Sequence, residues 1–209
     1  LHDMMAAKPE SIDDPTDGLA LWWTNQNQFR TFPHMSVRHA ARIADVAVKA
    51  HSIREYGTGG STLWLLQLAP QARLHSTDHD GTWAARIMHA ERVMRESGIQ
   101  LGEFVQTCDW DIEHYLSDHD ATFELVIVDG KSGWRPACMS RGWKQLRPGG
   151  SIFLHDAQRP EYQDAIEALI KQGARLACDD RESVRGAALV HFVKPSPASE
   201  PASQESQPA

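Results

Sequence analysis

Hydrophobic positions along the chain follow two different periods. Short runs rich in β-branched residues, typical of strands, alternate with longer segments whose apolar residues recur every three or four positions, as in helices. The run from Phe123 to Asp129 is apolar almost throughout, which favours a strand buried on both faces of a parallel sheet. The pattern predicts strands at 52–56, 73–77, 103–107, 123–129, 151–154, 175–178 and 187–193.

Helical segments separate the predicted strands. Ser36 can cap a helix that reaches residue 50. The residues expected on the buried face of this helix are Val37, Ala41, Ala44 and Val48. Because strands and helices alternate with short links, we predict an α/β fold with an open, mostly parallel sheet covered by helices on both faces. The other predicted helices are 61–69, 80–98, 111–116, one ending at 146, and 161–172.

The two ends of the chain differ in composition from its middle. Residues 1–17 are polar and include two prolines, which predicts a flexible lead. Residues 195–209 consist of Pro, Ser, Ala, Glu and Gln, a composition that buries too little surface to offset the ordering entropy. We therefore predict one folded domain at 18–194, whose residues 18–50 form an N-terminal helical cap, followed by a disordered tail.

The overall composition, with 41% hydrophobic and 23% charged residues, is that of an ordinary globular protein. A formal net charge of −7 argues against a nucleic-acid partner, which needs a concentrated basic surface. No apolar run approaches the ~20 residues that span a bilayer and no signal-peptide pattern is visible, so we predict a cytoplasmic protein with no membrane partner. The three cysteines fit neither a disulfide framework nor a zinc site. The composition leaves a homodimer open.

A glycine-rich turn follows the first predicted strand. Gly57, Gly59 and Gly60 allow a tight turn and a close approach of the backbone to a ligand, and the start of the next helix could receive a carboxylate or a phosphate. Thr62 stands where a dinucleotide fingerprint has its third glycine, and no Gly-Lys-Ser/Thr of a P-loop follows. A turn without a ligand therefore remains the alternative interpretation.

The second and third strands also end in polar residues. Asp78 lies about 20 positions after Gly57, the spacing expected for an acid that binds ribose hydroxyls. Cys108, Asp109 and Trp110 follow the third strand, where an acceptor group and an indole could bracket a purine ring. A loop acid that caps the next helix, beside a core tryptophan, is the alternative.

Three candidate catalytic residues follow the fourth and fifth strands. Asp129 ends the fourth strand, and His155 and Asp156 end the fifth. Because the carboxyl ends of parallel strands meet at one edge of a sheet, we expect these side chains to converge in one cleft. There one could act as a general base while the others orient a substrate or hold a divalent ion. Helix capping is the alternative for each of them.

The segments 55–62, 76–80, 123–130 and 146–156 occur in the order found in class I S-adenosylmethionine-dependent methyltransferases. The chain resembles a bacterial branch of this family, with an E-Y-G-x-G-G-S-T turn, a V-D-G strand end and a P-G-G hairpin strand. The resemblance covers roughly residues 36–193. It implies a three-layer, Rossmann-like methyltransferase sheet of about seven strands in which the last strand is antiparallel.

The same resemblance implies S-adenosylmethionine as the cofactor. Glycines and polar residues of the first turn would surround its methionine end, Asp78 would bind its ribose, and the segment 108–109 would lie near its adenine. The substrate would be contacted by residues 19–32, which include Trp22 and Trp23, and by the loop 131–135. The complete predicted cofactor site is Glu55, Gly57, Gly59, Ser61, Asp78, Cys108 and Asp109.

The predicted reaction is methyl transfer to a hydroxyl, or to an amine, of a small molecule such as a sugar or a natural product. Asp129, His155 and Asp156 are the candidates for the base and for orienting groups. The chain resembles metal-dependent O-methyltransferases more faintly. One of their metal ligands is missing, because Ala157 stands where those enzymes have Asn. We therefore predict no metal, with Mg²⁺ between the two acids as the alternative. An NAD-dependent oxidoreductase and a non-catalytic cofactor-binding member are the competing functions.

Overall fold

A single mixed sheet forms the centre of the molecule. The computed structural model describes residues 33, 35–116, 121–181 and 188–196. The strands in these residues are β1 (Ser52–Tyr56), β2 (Arg73–Asp78), β3 (Glu103–Cys108), β4 (Phe123–Val128), β5 (Leu146–His155), β6 (Arg175–Asp179) and β7 (Leu189–Val193). Their order in the sheet is β3-β2-β1-β4-β5-β7-β6. β7 runs antiparallel to both of its neighbours, and the other neighbouring pairs are parallel. The predicted sheet, with its antiparallel last strand, is confirmed.

Helices cover both faces of this sheet. The helices are α1 (Val37–Ala47), α2 (Gly60–Leu68), α3 (Gly81–Glu96), α4 (Ile112–Leu116), α5 (Arg135–Gln145) and α6 (Gln163–Lys171). Buried residues of α1 and α2 pack with Leu125 and Ile127 of β4, and α3 packs beside α2. Buried residues of α4, α5 and α6 pack with Val126 and Val128 on the opposite face. The apolar run of β4 is therefore buried on both sides, as its sequence predicts.

The strand order reverses beside β1, which lies between β2 on one side and β4 on the other. In open α/β sheets, ligands bind beyond the carboxyl ends of the strands at such a reversal. The polar residues that follow β1, β2, β4 and β5 are therefore brought to one edge of the sheet.

The predicted buried face of α1 is wrong. Ser36 does cap this helix, since its hydroxyl accepts a hydrogen bond from the His39 amide. However, Val37 and Val48 are 54% and 45% exposed. The buried residues are His39, Ala40, Ile43 and Ala47, because packing of the large Ile43 side chain against the sheet sets the rotation of the helix.

The fifth strand is longer than predicted. The segment Pro148-Gly149-Gly150, which lies between the predicted helix and the predicted strand at 151–154, belongs to β5. The Gly149 amide donates to the Lys194 carbonyl, and the Lys194 amide donates to the Gly150 carbonyl. These backbone groups form hydrogen bonds with the residue after β7. Such pairing between distant segments cannot be predicted from the local sequence around Gly149 and Gly150.

The remaining elements lie within a few residues of their predicted bounds. The last helix, α6, begins at Gln163 rather than at 161, after a 3₁₀ turn over Pro160–Tyr162. The predicted flexible lead at 1–17, the substrate-contacting segment 19–32 with Trp22 and Trp23, and nearly all of the tail at 195–209 lie outside the described residues. Within the described part of the chain, no helix combines the length and the apolar character that crossing a bilayer requires.

Candidate active site

The glycine turn after β1 packs directly against the end of β4. Gly57 has a φ of +106°, and a Cβ atom there would lie 2.5 Å from backbone atoms of Gly130. Only glycine fits both the conformation and the space. A Cβ at Gly59 would meet nothing closer than 3.9 Å, so this side of the turn is open. The turn thus joins two strand ends and leaves room for a ligand at Gly59.

Glu55 lies beneath this turn with no exposed surface. Its carboxylate accepts hydrogen bonds from the hydroxyls of Ser61 at 2.6 Å, Thr62 at 2.6 Å and Ser76 at 2.9 Å. Burial raises the pKa of Glu55 to about 7, although the three hydroxyl donors oppose that rise. Glu55 and Ser61 therefore contact each other and hold the turn onto β2. Their predicted contact with the cofactor stays a prediction.

Asp78 connects the end of β2 to the same turn. Its Oδ2 atom accepts from the Thr58 amide at 2.8 Å, and its Oδ1 atom accepts from the Asp80 amide at 2.8 Å. Nδ1 of His79 also lies 3.3 Å from Oδ1, whereas Oδ2 keeps a second lone pair for a further donor. The structure thus brings Asp78 to the glycine turn, as the sequence predicts. Asp80 itself caps α3, where its side chain accepts from the Thr82 and Trp83 amides.

The segment after β3 lies at the border of this site. The Asp109 amide donates to the Asp78 carbonyl, and Cys108 is exposed. Trp110 is 87% exposed, so its alternative assignment as a core residue is wrong. The Asp109 carboxylate accepts from the Asp111 amide, and Asp111 in turn caps α4. Cys108 and Asp109 are placed next to Asp78, and their contact with adenine remains a prediction.

An aromatic group near the turn was not predicted from the sequence. Trp134 ends a 3₁₀ turn after β4, and its ring centroid lies 5.0 Å from that of Tyr115 and 5.8 Å from that of His79. The Lys131 ammonium lies 4.4 Å above the same indole ring. The only sequence signal for these contacts is that His79 and the loop 131–135 follow β2 and β4, the two strands that flank β1. Trp134 thus links the end of β2 to the loop after β4.

Asp129, His155 and Asp156 converge at the ends of β4 and β5, as the sequence predicts. The Nδ1 atom of His155 lies 2.9 Å from Oδ1 of Asp129 and 3.9 Å from Oδ1 of Asp156. An ionised carboxylate only accepts, so the proton on this hydrogen bond belongs to Nδ1. The Nε2 atom of His155 is buried and has no hydrogen-bond partner among the described residues. In the neutral ring, this atom carries a free lone pair.

The environment of His155 favours its charged form. Burial by itself would lower the pKa of His155, which is only 4% exposed. The hydrogen bond to Asp129 and the negative charges of Asp129 and Asp156 outweigh that burial and raise the pKa. The two carboxylates therefore make His155 a stronger proton acceptor than a free imidazole.

Arg135 was not predicted as a site residue, although it ends the predicted loop 131–135. Its guanidinium donates to the carbonyls of Gly130, Asp129 and His155. It also contacts Oδ1 of Asp129 at 3.0 Å and Oδ2 of Asp156 at 3.2 Å. These contacts provide a partner for each of the five guanidinium N–H groups. Arg135 therefore fastens the end of β4 to the end of β5.

A second histidine–carboxylate pair lies at the same edge of the sheet and was also missed. The Nε2 atom of His39, in the first turn of α1, lies 2.7 Å from Oδ2 of Asp180, directly after β6. β6 runs parallel to β5, so Asp180 and His155 follow strands that end on the same side. Burial lowers the pKa of His39 against the effect of Asp180, and the charge of His155 lowers it further.

The fold and the site together define a class of protein. A glycine turn, an acid after the second strand and a polar cluster after the fourth and fifth strands meet where the strand order reverses. These are the features of a Rossmann-like α/β domain that binds a nucleotide-containing ligand.

Comparisons with known proteins point to a family. A family model described as "Methyltransferase domain" matches residues 55–157, the stretch that contains the ends of β1 to β5. A curated protein of Mycolicibacterium vanbaalenii, named "Putative O-methyltransferase", is 27% identical over 139 residues. That match covers 63% of this chain and 61% of the relative, so the chain spans about three fifths of the relative's length. Residues 55–157 are therefore similar to methyltransferase domains, and both comparisons support a class I S-adenosylmethionine-dependent methyltransferase.

Solved structures confirm the fold. The O-methyltransferase TomG from Streptomyces achromogenes, solved in complex with S-adenosylmethionine, is similar with a TM-score of 0.56 at 20% identity. That likeness covers 76% of this chain and 81% of TomG. The N-methyltransferase NodS from Bradyrhizobium japonicum gives a TM-score of 0.54 at 14% identity, covering 76% of this chain and 96% of NodS. The family match favours the methyltransferase prediction over the NAD-dependent alternative.

Proposed function

We propose that this protein transfers the methyl group of S-adenosylmethionine to a hydroxyl oxygen of a small molecule, with His155 as the base. The observation that carries the proposal is the hydrogen bond between Asp129 and the buried His155, whose Nε2 atom has no partner among the described residues. This pair lies beside the glycine turn, because Gly57 packs on the backbone of Gly130 and Asp129.

The residues of the glycine turn suit the proposed cofactor. The open backbone at Gly59 and the first amides of α2 would receive its carboxylate, because helix N-termini present unpaired N–H groups. The remaining lone pair on Oδ2 of Asp78 would accept a hydrogen bond from a ribose hydroxyl. Cys108, the last residue of β3, and Asp109 directly after it lie next to Asp78 and would border the adenine. Bound there, S-adenosylmethionine supplies a methyl group activated on a sulfonium.

His155 would remove the proton from the acceptor hydroxyl. Asp129 fixes the ring through Nδ1, which directs Nε2 towards the acceptor and stabilises the imidazolium that forms. Arg135 keeps Asp129 and Asp156 in place through its contacts with both carboxylates. A hydroxyl must lose its proton as it is methylated, whereas a neutral amine attacks before losing its proton. A positioned base therefore favours O-methylation over N-methylation.

The acceptor would bind at the carboxyl edge of β5, between the His155 cluster and the His39–Asp180 pair. Both histidines are buried and each keeps one ring nitrogen without a partner among the described residues. Two such nitrogens suit a small polyhydroxylated acceptor, such as a sugar or a hydroxylated natural product. TomG is named for tomaymycin synthesis, and the curated relatives carry O-methyltransferase names, which agrees with this class of acceptor.

The test separates binding from transfer. S-adenosylhomocysteine release is measured over a panel of sugars, phenols and catechols, and cofactor binding is measured by calorimetry. His155→Gln is expected to lower turnover about 100-fold or more, the effect of losing a general base, while cofactor affinity stays within about twofold.

His89→Gln is the matched control, since His89 lies on the exposed face of α3. Turnover of His155→Gln at the rate of the unmodified protein would refute His155 as the base. Tight cofactor binding without transfer to any acceptor in the panel would favour a non-catalytic member of the family.

A further inference from the structure

Three side chains at the ends of β4 and β5 could together hold a metal ion. One ligand atom from each of Asp129, His155 and Asp156 lies within 4.8 Å of the others. Carboxylate oxygens and an imidazole nitrogen suit first-row divalent ions such as Mn²⁺. Judged from these three residues alone, the site resembles a metal centre.

The space between the two carboxylates is taken by Arg135. Its guanidinium lies 3.0 Å from Oδ1 of Asp129 and 3.2 Å from Oδ2 of Asp156. The residue is only 7% exposed, and its remaining N–H groups donate to three backbone carbonyls at the same strand ends. The guanidinium is therefore fixed, and it cannot turn away without leaving buried donors unpaired.

The nitrogen of His155 that faces Asp129 is also engaged in a hydrogen bond. Nδ1 lies within hydrogen-bond distance of Oδ1 of Asp129, the same oxygen that contacts Arg135. A metal ion bound by this group would have to displace both a proton on His155 and the guanidinium. The residues present therefore do not fit a divalent ion.

We propose that Arg135 is a built-in cation that neutralises Asp129 and Asp156 in place of a divalent ion, so that the site excludes metals. A guanidinium stays charged at every working pH, and its planar set of donors matches two carboxylates. A divalent ion approaching the same oxygens would meet a fixed positive charge at close range. Together with the proposed function, this proposal implies that methyl transfer needs no metal ion. The exclusion of metal ions itself does not depend on methyl transfer.

The test is Mn²⁺ binding to the full chain, measured by electron paramagnetic resonance of the free ion and by calorimetry. The unmodified protein is expected to bind no Mn²⁺ at this site at millimolar concentration. Arg135→Gln, which removes the charge but keeps a side-chain amide, is expected to bind one Mn²⁺ at least about 100-fold more tightly. The added substitution Asp156→Asn should abolish that gain.

Arg159→Gln is the matched control. Arg159 also contacts Oδ2 of Asp156, at 2.8 Å, but its side chain is 41% exposed, against 8% for Arg135. This variant is expected to exclude Mn²⁺ as the unmodified protein does, because Arg135 remains. Mn²⁺ binding by the unmodified protein that is lost in Asp156→Asn would overturn the proposal. A folded Arg135→Gln variant that binds Mn²⁺ no better than the unmodified protein would overturn it as well.

Circular dichroism establishes whether Arg135→Gln is folded. If Arg135→Gln is not folded, Arg135→Lys is the second variant. This variant keeps the positive charge, so it is expected to exclude Mn²⁺. Mn²⁺ binding by Arg135→Lys or by the unmodified protein would contradict the proposal. Titration with S-adenosylhomocysteine in the presence of a chelator is a separate measurement. Its failure would count against the proposed function and would leave the Mn²⁺ result standing.

Discussion

Glu55 lies in the interior beneath the glycine turn, where three hydroxyl donors surround its carboxylate. Glu55→Ala would leave those hydroxyls without their acceptor, and we expect it to lower the free energy of unfolding by about 2–4 kcal/mol. We also expect weaker cofactor binding, because Ser61 and Thr62 belong to the turn. Urea unfolding and calorimetry with S-adenosylhomocysteine measure the two effects.

Glu55→Gln is the control for that substitution. Burial raises the pKa of Glu55 to about 7, so a neutral side chain of the same shape suits the site, and hydroxyls can reverse to accept from the amide. We expect a loss of stability of no more than about 1 kcal/mol. If Glu55→Ala were as stable as Glu55→Gln, the hydroxyl contacts would not be what holds the turn.

His191 on β7 makes stability depend on pH. Its ring stacks on Phe153 with the centroids 4.1 Å apart, and its Nε2 atom lies 2.9 Å from the Ser151 hydroxyl. Burial, with smaller contributions from Arg42 and Arg175, lowers the pKa of His191 from 6.5 to about 4. Between these two values the unfolded chain binds more protons than the folded protein, so His191 lowers stability as the pH falls.

The variant His191→Gln isolates this effect. The unmodified protein is expected to lose about 1–2 kcal/mol more unfolding free energy between pH 7 and pH 5 than the variant does. Other buried groups, including His39 and His155, titrate in both proteins, so the difference between the proteins reports on His191. Urea unfolding at the two pH values provides the measurement. Equal losses in both proteins would show that His191 is protonated without cost in the folded state.

At the scale of elements, α5 packs unusually close to the sheet at Gly142. A Cβ atom there would lie 2.7 Å from Cγ1 of Val126 and 3.1 Å from Cδ1 of Ile152. Gly142→Ala gains about 1 kcal/mol of helix propensity, but we expect the clash to dominate and the net loss to be about 1–2 kcal/mol. Gly133→Ala is the control, because a Cβ at Gly133 meets nothing within 4 Å. A stabilised Gly142→Ala variant would show that α5 can shift away from β4 and β5.

The elements also show what the sequence can and cannot predict. The strands, and the polar residues at their ends, were predictable from the sequence. Burial on both faces of the sheet requires apolar runs such as that of β4. Asp129, His155 and Asp156 could be placed together because parallel strands end at one edge. The rotation of α1 was predicted wrongly, since alanines mark a helix face only weakly and Ile43 decides it.

Contacts between segments that are distant in the chain could not be predicted, because they leave no local pattern in the sequence. The His39–Asp180 pair joins the first described helix to the end of β6, and Arg135 joins two strand ends through backbone carbonyls. Carbonyl acceptors are present at every position, so no residue type marks where a guanidinium will find them. The role of Trp134 likewise depends on how its loop folds towards His79 and Tyr115.

At the scale of the whole molecule, four strand ends, those of β1, β2, β4 and β5, contribute to one site. Asp78 from β2 holds Thr58 of the glycine turn, and the turn packs on Gly130 after β4. Arg135 then links β4 to β5. This continuity places the proposed cofactor site next to the proposed base, and it makes cofactor binding the claim on which the rest of the account depends.

Calorimetric titration of the full chain with S-adenosylmethionine, S-adenosylhomocysteine and NAD tests that claim most directly. The account predicts that the first two bind at one site and NAD does not, and that Asp78→Ala weakens binding at least about 30-fold through the lost ribose hydrogen bond. Asp45→Ala, an exposed acid on α1, serves as the control and should bind normally. Binding of NAD alone, or of none of the three to folded protein, would contradict the account.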